Sequence, residues 1–302
     1  MLLDNGLNEL ARRLHETYGI IIPTQPNEEF ISRPDKHLNS QPSPQSLIEI
    51  ERAISEKLPY AGNLVKIISF YETYDWAYIG RLWPKDIGRK DTAYDERPLM
   101  IAYESHLITP DGRRILDYDL PAAEARYPFI KTERDRFRAA FFHELGHGID
   151  FEILFRKYND IEKYVKQVEN GTDSMPDHPI YITFGELTGW KFGKGVVAQR
   201  MKEDFGVDIG DRWLNPVIES APSDSIQYLA EKERTRIQLF TRHPITRSIT
   251  EIFAEFFEAY LMAPEILTDE ERSYFNTMHD GLKSSPEKFM EEVARNPRIL
   301  LM

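Results

Sequence analysis

The chain contains no cysteine. A disulfide scaffold and a thiolate metal site are both excluded, so any metal ion here rests on His, Asp, Glu and water. Positive charge is also scarce. Lys and Arg number 38 against 50 Asp and Glu, for a formal net charge of −12. A nucleic-acid binder neutralises phosphates with a basic surface, and this balance argues against one. It argues equally against simple adsorption to an anionic membrane. No apolar run approaches the roughly 20 residues of a membrane-spanning helix. The start, Met1-Leu2-Leu3-Asp4-Asn5-Gly6, has no basic stretch followed by an apolar one, so no signal peptide is visible. The expectation is a protein with no nucleic-acid partner and no membrane span, cytoplasmic or secreted by a leaderless route.

What is present suits a globular fold. The 302 residues, 41% hydrophobic and 29% charged, are enough to bury a sizeable core in one large domain or two small ones.

The most informative stretch is Phe141-Phe142-His143-Glu144-Leu145-Gly146-His147-Gly148-Ile149-Asp150. It contains His-Glu-x-x-His. On a helix, residues four apart lie one turn apart on one face, so His143 and His147 can point at one metal ion. Glu144 stands beside them, placed to take a proton from a metal-bound water. This is the zinc metallopeptidase pattern. The flanks predict the helix it needs. No proline occurs from Lys131 to Phe155, Thr132 and Asp135 form a near capping box, and Phe137, Ala140, Phe141, Leu145 and Ile149 recur at helical spacing. The competing reading is a helix with two incidental histidines. Asp150 follows His147 by three on the same face. It is placed to accept a ring N–H and fix a histidine's tautomer, or else to act as a surface carboxylate paired with Arg.

Along the chain, residues 2–18 read as an amphipathic helix through Leu3, Leu7, Leu10 and Leu14. Pro23 to Ser46 is Pro-rich and reads as an extended arm. A helix is predicted from Ser46 to Leu58 and strands over Leu64–Tyr71 and Leu99–Tyr103; Tyr74 to Trp83 is ambiguous. Pro110-Asp111-Gly112 is turn chemistry between His106–Thr109 and Arg113–Leu116, and predicts a hairpin. Its edge would either receive an extended peptide by main-chain hydrogen bonds or serve only as scaffold. Beyond the His-Glu-x-x-His helix the pattern is mainly helical: 161–168, 194–205, 225–240, 249–262, 269–282 and 286–295. Gly171 to Pro179 reads as a loop, and glycines including Gly185 punctuate the stretch after it.

Catalytic zinc usually has three protein ligands and a water. The stretch from Ser248 to Leu261 offers Glu251, Glu255 and Glu258 as one acidic stripe at helical spacing. A plainer reading makes Ser248 and Glu251 a capping box, with Glu255 and Glu258 the solvated face of an ordinary amphipathic helix. His106, His178 and His243 are alternative ligands, although a lone His is more often a surface or capping residue.

These residues carry a family resemblance. His143-Glu144-Leu145-Gly146-His147-Gly148-Ile149-Asp150 resembles the His-Glu-Phe/Leu-Gly-His-x-x-Asp segment of the anthrax lethal factor catalytic domain family. Glu251-Ile252-Phe253-Ala254-Glu255 resembles that family's Glu-Phe-Phe-Ala-Glu helix, and the Pro-Pro endopeptidases look similar. The resemblance covers the two motifs and their helices. It implies that Glu251 is the third zinc ligand and that Glu255 supports the ligands from behind. Two departures stand out. His147 and Glu251 are 104 positions apart, a longer connection than in those relatives, which implies an insertion at about 173–224. The family also has a Tyr shortly before the ligand Glu that stabilises the oxyanion. No Tyr occurs from Leu229 to Glu251, so Tyr228 or His243 would take that part.

The expectation is therefore an α+β, zincin-like metallopeptidase. It has a small, mostly antiparallel sheet above the His-Glu-x-x-His helix and a mainly helical C-terminal half. Residues 1–46 form the N-terminal helix and arm, and 47–302 the catalytic domain. One Zn²⁺ per chain is held by His143, His147 and Glu251, with Glu144 as general base and a protein or peptide as substrate. The alternatives are a non-catalytic protein-binding module on the same fold, and a zinc hydrolase of a non-peptide amide or ester.

Overall fold

The computed structural model describes residues 2–24, 42–71, 78–80, 100–104, 131–158, 178–188 and 249–302. The expected hairpin, the helices over 161–168, 194–205 and 225–240, and most of the Pro-rich arm lie outside them. So do Tyr228, His106 and His243. The chain divides into two compact units. The first comprises Met1–Leu120, Ile130–Glu152 and Asp280–Phe289. The second comprises Pro121–Phe129, Ile153–His279 and Met290–Met302.

The first unit opens with α1 (Leu2–Tyr18). Leu7 and Leu14 are buried, two turns apart on one face. The helix stops at Gly19, whose φ of 71° is the left-handed conformation that glycine adopts without penalty. Gly19 N–H donates to His15 and Ile20 N–H to Leu14, the two bonds that close a helix C-terminus. The chain then extends, and Ile21 bridges in parallel to Ile67. Ile20 and Ile22 are core residues, so the segment leading into the arm is buried.

Helix α2 (Pro44–Lys57) starts two residues before its expected position, inside the stretch read as arm. Ser43 caps it by accepting the Ser46 N–H, and Pro44 takes the first turn, where a missing N–H costs nothing. Leu47, Ile50, Ala53 and Ile54 form its buried stripe, and it packs against α1. A short turn, Ala61–Asn63, follows. A Cβ on Gly62 would fall 1.6 Å from the Tyr18 carbonyl oxygen, so only glycine lets this turn lie against the end of α1.

Three strands are described: β1 (Ile67–Tyr71), β2 (Tyr78–Gly80) and β3 (Met100–Glu104). Their order is β1-β3-β2. β3 pairs in parallel with β1, Ile67 opposite Met100, and antiparallel with β2, Tyr78 opposite Ala102. The expectation was a mostly antiparallel sheet; the described part is mixed. β-branched and aromatic composition marks a strand but carries no information about its partner's direction.

Helix α3 (Glu133–Tyr158) carries the His-Glu-x-x-His motif. Thr132 and Asp135 make the expected capping box. Asp135 N–H donates to Thr132 Oγ1 at 3.1 Å, and Thr132 N–H to Asp135 Oδ2 at 2.9 Å. Phe137, Phe141, Leu145 and Ile149 are buried as predicted, whereas Ala140 is only half-buried. The burial is wider than one stripe, however: every residue from Phe141 to Asp150 is buried.

A buried carboxylate joins α2 to the start of α3. Glu49 sits on the apolar face of α2 and is fully enclosed. Its Oε2 accepts from Arg138 Nε at 3.0 Å and lies 2.9 Å from a second Arg138 nitrogen. Its Oε1 accepts from Gln45 at 3.1 Å and from Arg52 at 3.3 Å. A carboxylate leaves water only when paired in this way.

The second unit is built on aromatic packing. Helix α4 (Pro179–Thr188) falls within the expected insertion, at a position for which no helix was foreseen. Pro179 opens it, and His178 caps it by accepting the Ile180 N–H on Nδ1 at 3.1 Å. Helix α5 (Ile249–Met262) and α6 (Asp269–Ser284) meet their predicted spans closely. Phe184 of α4 stands edge-on to Phe253 and Phe256 of α5, with ring centroids 5.5 and 5.2 Å apart. It also touches Tyr274 and Phe275 of α6. Offset and edge contacts of this kind are the favoured aromatic geometries. Inside the cluster, Thr183 Oγ1 donates to the Pro179 carbonyl and lies 3.0 Å from the Tyr274 hydroxyl, which therefore donates to it. Helix α7 (Pro286–Arg295) precedes a turn at Pro297–Leu301 that packs on α4. Among the described residues no helix is long and apolar enough to cross a membrane.

Candidate metal centre

The motif's local physics brings its histidines together. One turn of α3 separates His143 from His147, and their Nε2 atoms lie 3.2 Å apart. The rings meet at 85°, with centroids 4.8 Å apart. The His147 ring stacks on Phe151, nearly parallel at 17°, which sets its tilt. Two zinc–nitrogen bonds of about 2.0–2.1 Å at the tetrahedral angle put the nitrogens about 3.3–3.4 Å apart. The observed approach fits that edge. The same approach without an ion is a ring-to-ring hydrogen bond, with one nitrogen protonated and donating.

Burial sharpens the picture. His143 is 7% exposed, Glu144 7% and His147 8%. Three titratable groups in five consecutive residues are thus removed from water, where an incidental surface pair would remain hydrated. Asp150, on the same face, is fully buried, so it is not a surface carboxylate. The helix also carries Gly146 and Gly148 in its interior, each costing about 1 kcal/mol against alanine.

On α5 the plainer reading fails at two positions. Glu255 and Glu258 are both buried, so they are not the solvated face of an amphipathic helix. Glu251 belongs to the first turn of α5; its side chain, and all of Ser248, lie outside what is described. Among the described residues no group of three His, Cys, Asp or Glu side chains is assembled for a metal ion. His178 is used in capping α4, its Nδ1 accepting the Ile180 N–H.

Sequence reasoning missed buried carboxylates on α2 and α3. Glu49 and Glu152 are both enclosed. Glu49 had a legible signal: it interrupts the apolar set Leu47, Ile50, Ala53 and Ile54, and Arg134 and Arg138 stand one turn apart on another helix. Glu152 had none, because it looks like any carboxylate on a charged helix. The chain matches no family model, no curated protein and no solved structure.

Proposed function

We infer that this protein is a zinc-dependent endopeptidase of the zincin type, as its resemblance to the lethal factor family implies. The observation that carries the reading is the 3.2 Å approach of the His143 and His147 Nε2 atoms, with Glu144 buried between them in sequence. His143 and His147 hold the ion, and Glu251 is proposed as the third ligand. Zn²⁺, when bound, supplies a Lewis acid that brings the pKa of water to about 7 and polarises the scissile carbonyl. Glu144 takes the proton of the attacking water and passes it to the leaving amine, so that one peptide bond and one water become a carboxylate and an amine. Asp150 and Glu255 orient the ligand imidazoles by accepting ring N–H groups. Tyr228 or His243, as read from the sequence, donates to the oxyanion. The substrate is a protein or peptide. A module that only binds its partner has no need of a buried carboxylate beside two histidines.

A cleavage profile on a diverse peptide library in the presence of zinc tests this. Wild type is expected to take up one zinc per chain and to cleave. His143→Ala should lose both. Glu144→Gln, nearly the same shape, should keep the metal and lose hydrolysis. Failure of wild type to bind zinc would sink the reading. Undiminished cleavage by Glu144→Gln would remove that residue as the base.

A further inference from the structure

The arginines around Glu49 outnumber what a helix clamp requires. Arg138 alone pairs with Glu49 through two nitrogens at 3.0 and 2.9 Å. Arg52 adds a looser contact at 3.3 Å, and Arg134 Nε stands 3.7 Å from Oε1, beyond hydrogen-bond reach. Arg134 Nε is itself shielded from water and makes no hydrogen bond among the described residues. Among the described residues, Glu49 is the one carboxylate within ion-pair distance of Arg52, Arg134 and Arg138. Asp135, close in sequence, is engaged as the α3 cap, taking N–H groups of Lys131 and Thr132.

Among the described residues, three guanidinium charges against one carboxylate leave a surplus of two positive charges, in a chain whose net charge is −12. Like charges held together repel, and an anion between them relieves that repulsion. The side chains remain open to a ligand: Arg52 is 46% exposed, Arg134 43% and Arg138 23%, while Glu49 beneath them is 0% exposed. Each guanidinium has five donors in a planar fork suited to oxyanions.

We propose that Arg52, Arg134 and Arg138, seated on Glu49, form a binding site for a phosphate-type dianion. Glu49 holds the forks in place, and the dianion takes the donors that Glu49 leaves over. The charge fits: a doubly negative group neutralises the surplus, whereas chloride would not and offers no bidentate edge. The site stands independently of the zinc reading, since none of its residues belongs to the proposed metal centre.

Isothermal titration of the full chain with inorganic phosphate, at ionic strength matched with chloride, tests the proposal. The expected result is saturable uptake of one phosphate per chain. Arg52→Gln and Arg134→Gln should each weaken it on the order of tenfold, through loss of charge-assisted hydrogen bonds. Both variants leave the Arg138–Glu49 pair intact, and a thermal melt checks that they fold. Arg12→Gln, on a pair of exposed carboxylates of α1, should bind phosphate as wild type does. A parallel titration with methyl phosphate separates the two sources of the dianion. Binding of both ligands assigns the site to phosphate esters as well as the free ion, and binding of phosphate alone assigns it to the free ion. Absence of saturable uptake by wild type would overturn the proposal. So would equal phosphate affinity in wild type, Arg52→Gln and Arg134→Gln, which would place the anion elsewhere, on a metal ion for instance.

Discussion

Both compact units bury an apolar core, and they differ in the contacts added to it. In the first, the helix carrying the His-Glu-x-x-His motif is tied to α2 by one enclosed carboxylate and its arginines. In the second, α4, α5 and α6 meet through Phe184, Phe253, Phe256, Tyr274 and Phe275. Charge-assisted bonds are directional and set a helix's register about its axis and along its length. Aromatic packing contributes more free energy through buried area but tolerates small shifts. Helix α3 thus has directional contacts at its start in addition to its buried apolar side chains, whereas α4, α5 and α6 meet through aromatic rings.

The comparison can be broken most forcefully in the aromatic unit. Phe184→Ala removes a ring that touches four others, and is expected to destabilise the protein by about 3–5 kcal/mol. Urea unfolding measures it; a loss below about 1 kcal/mol would mean that the cluster collapses to fill the space. Glu49→Gln strikes the polar anchor. It leaves Arg138 without its carboxylate, and the expected loss is about 2–4 kcal/mol, between the values for exposed and buried pairs because the arginines are part-exposed. A change indistinguishable from zero would reduce the anchor to a surface ion pair and end the contrast between the units. The smallest effect sharpens it. Thr132→Ala deletes one side of the α3 capping box and should cost about 1 kcal/mol. Amide exchange at the first turn of α3 reports it locally, and unchanged protection there would show that Asp135 alone suffices.

Several features were legible because they are local. The N-terminal cap of α3 followed from Thr132 and Asp135, and the spans of α5, α6 and α7 from their apolar spacing and flanking residues. Strands β1 and β3 were recognised within three residues at each end from composition. Helix α4 was not, although His178-Pro179 with Ile180 and Phe184 four apart is a cap, a first-turn proline and an apolar face in succession. Gly185 counted as punctuation there, yet one glycine costs a helix only about 1 kcal/mol, which the Phe184 contacts outweigh. The start of α2 was missed for the reverse reason. Prolines were counted as arm, whereas Pro44 behind a serine cap begins a helix.

At the candidate centre the division is cleaner still. That His143 and His147 converge is a property of the sequence, because four residues make one helical turn whatever surrounds it. Whether those rings, Glu144 and Asp150 would be exposed or enclosed was decided by tertiary structure. So was the burial of Glu152, Glu255 and Glu258, each of which reads equally well on its own helix as an ordinary solvated carboxylate. Helical period fixes which side chains share a face, through bonds only four residues long. Burial depends on chain that returns from far away in sequence to cover that face, and no local pattern encodes its arrival.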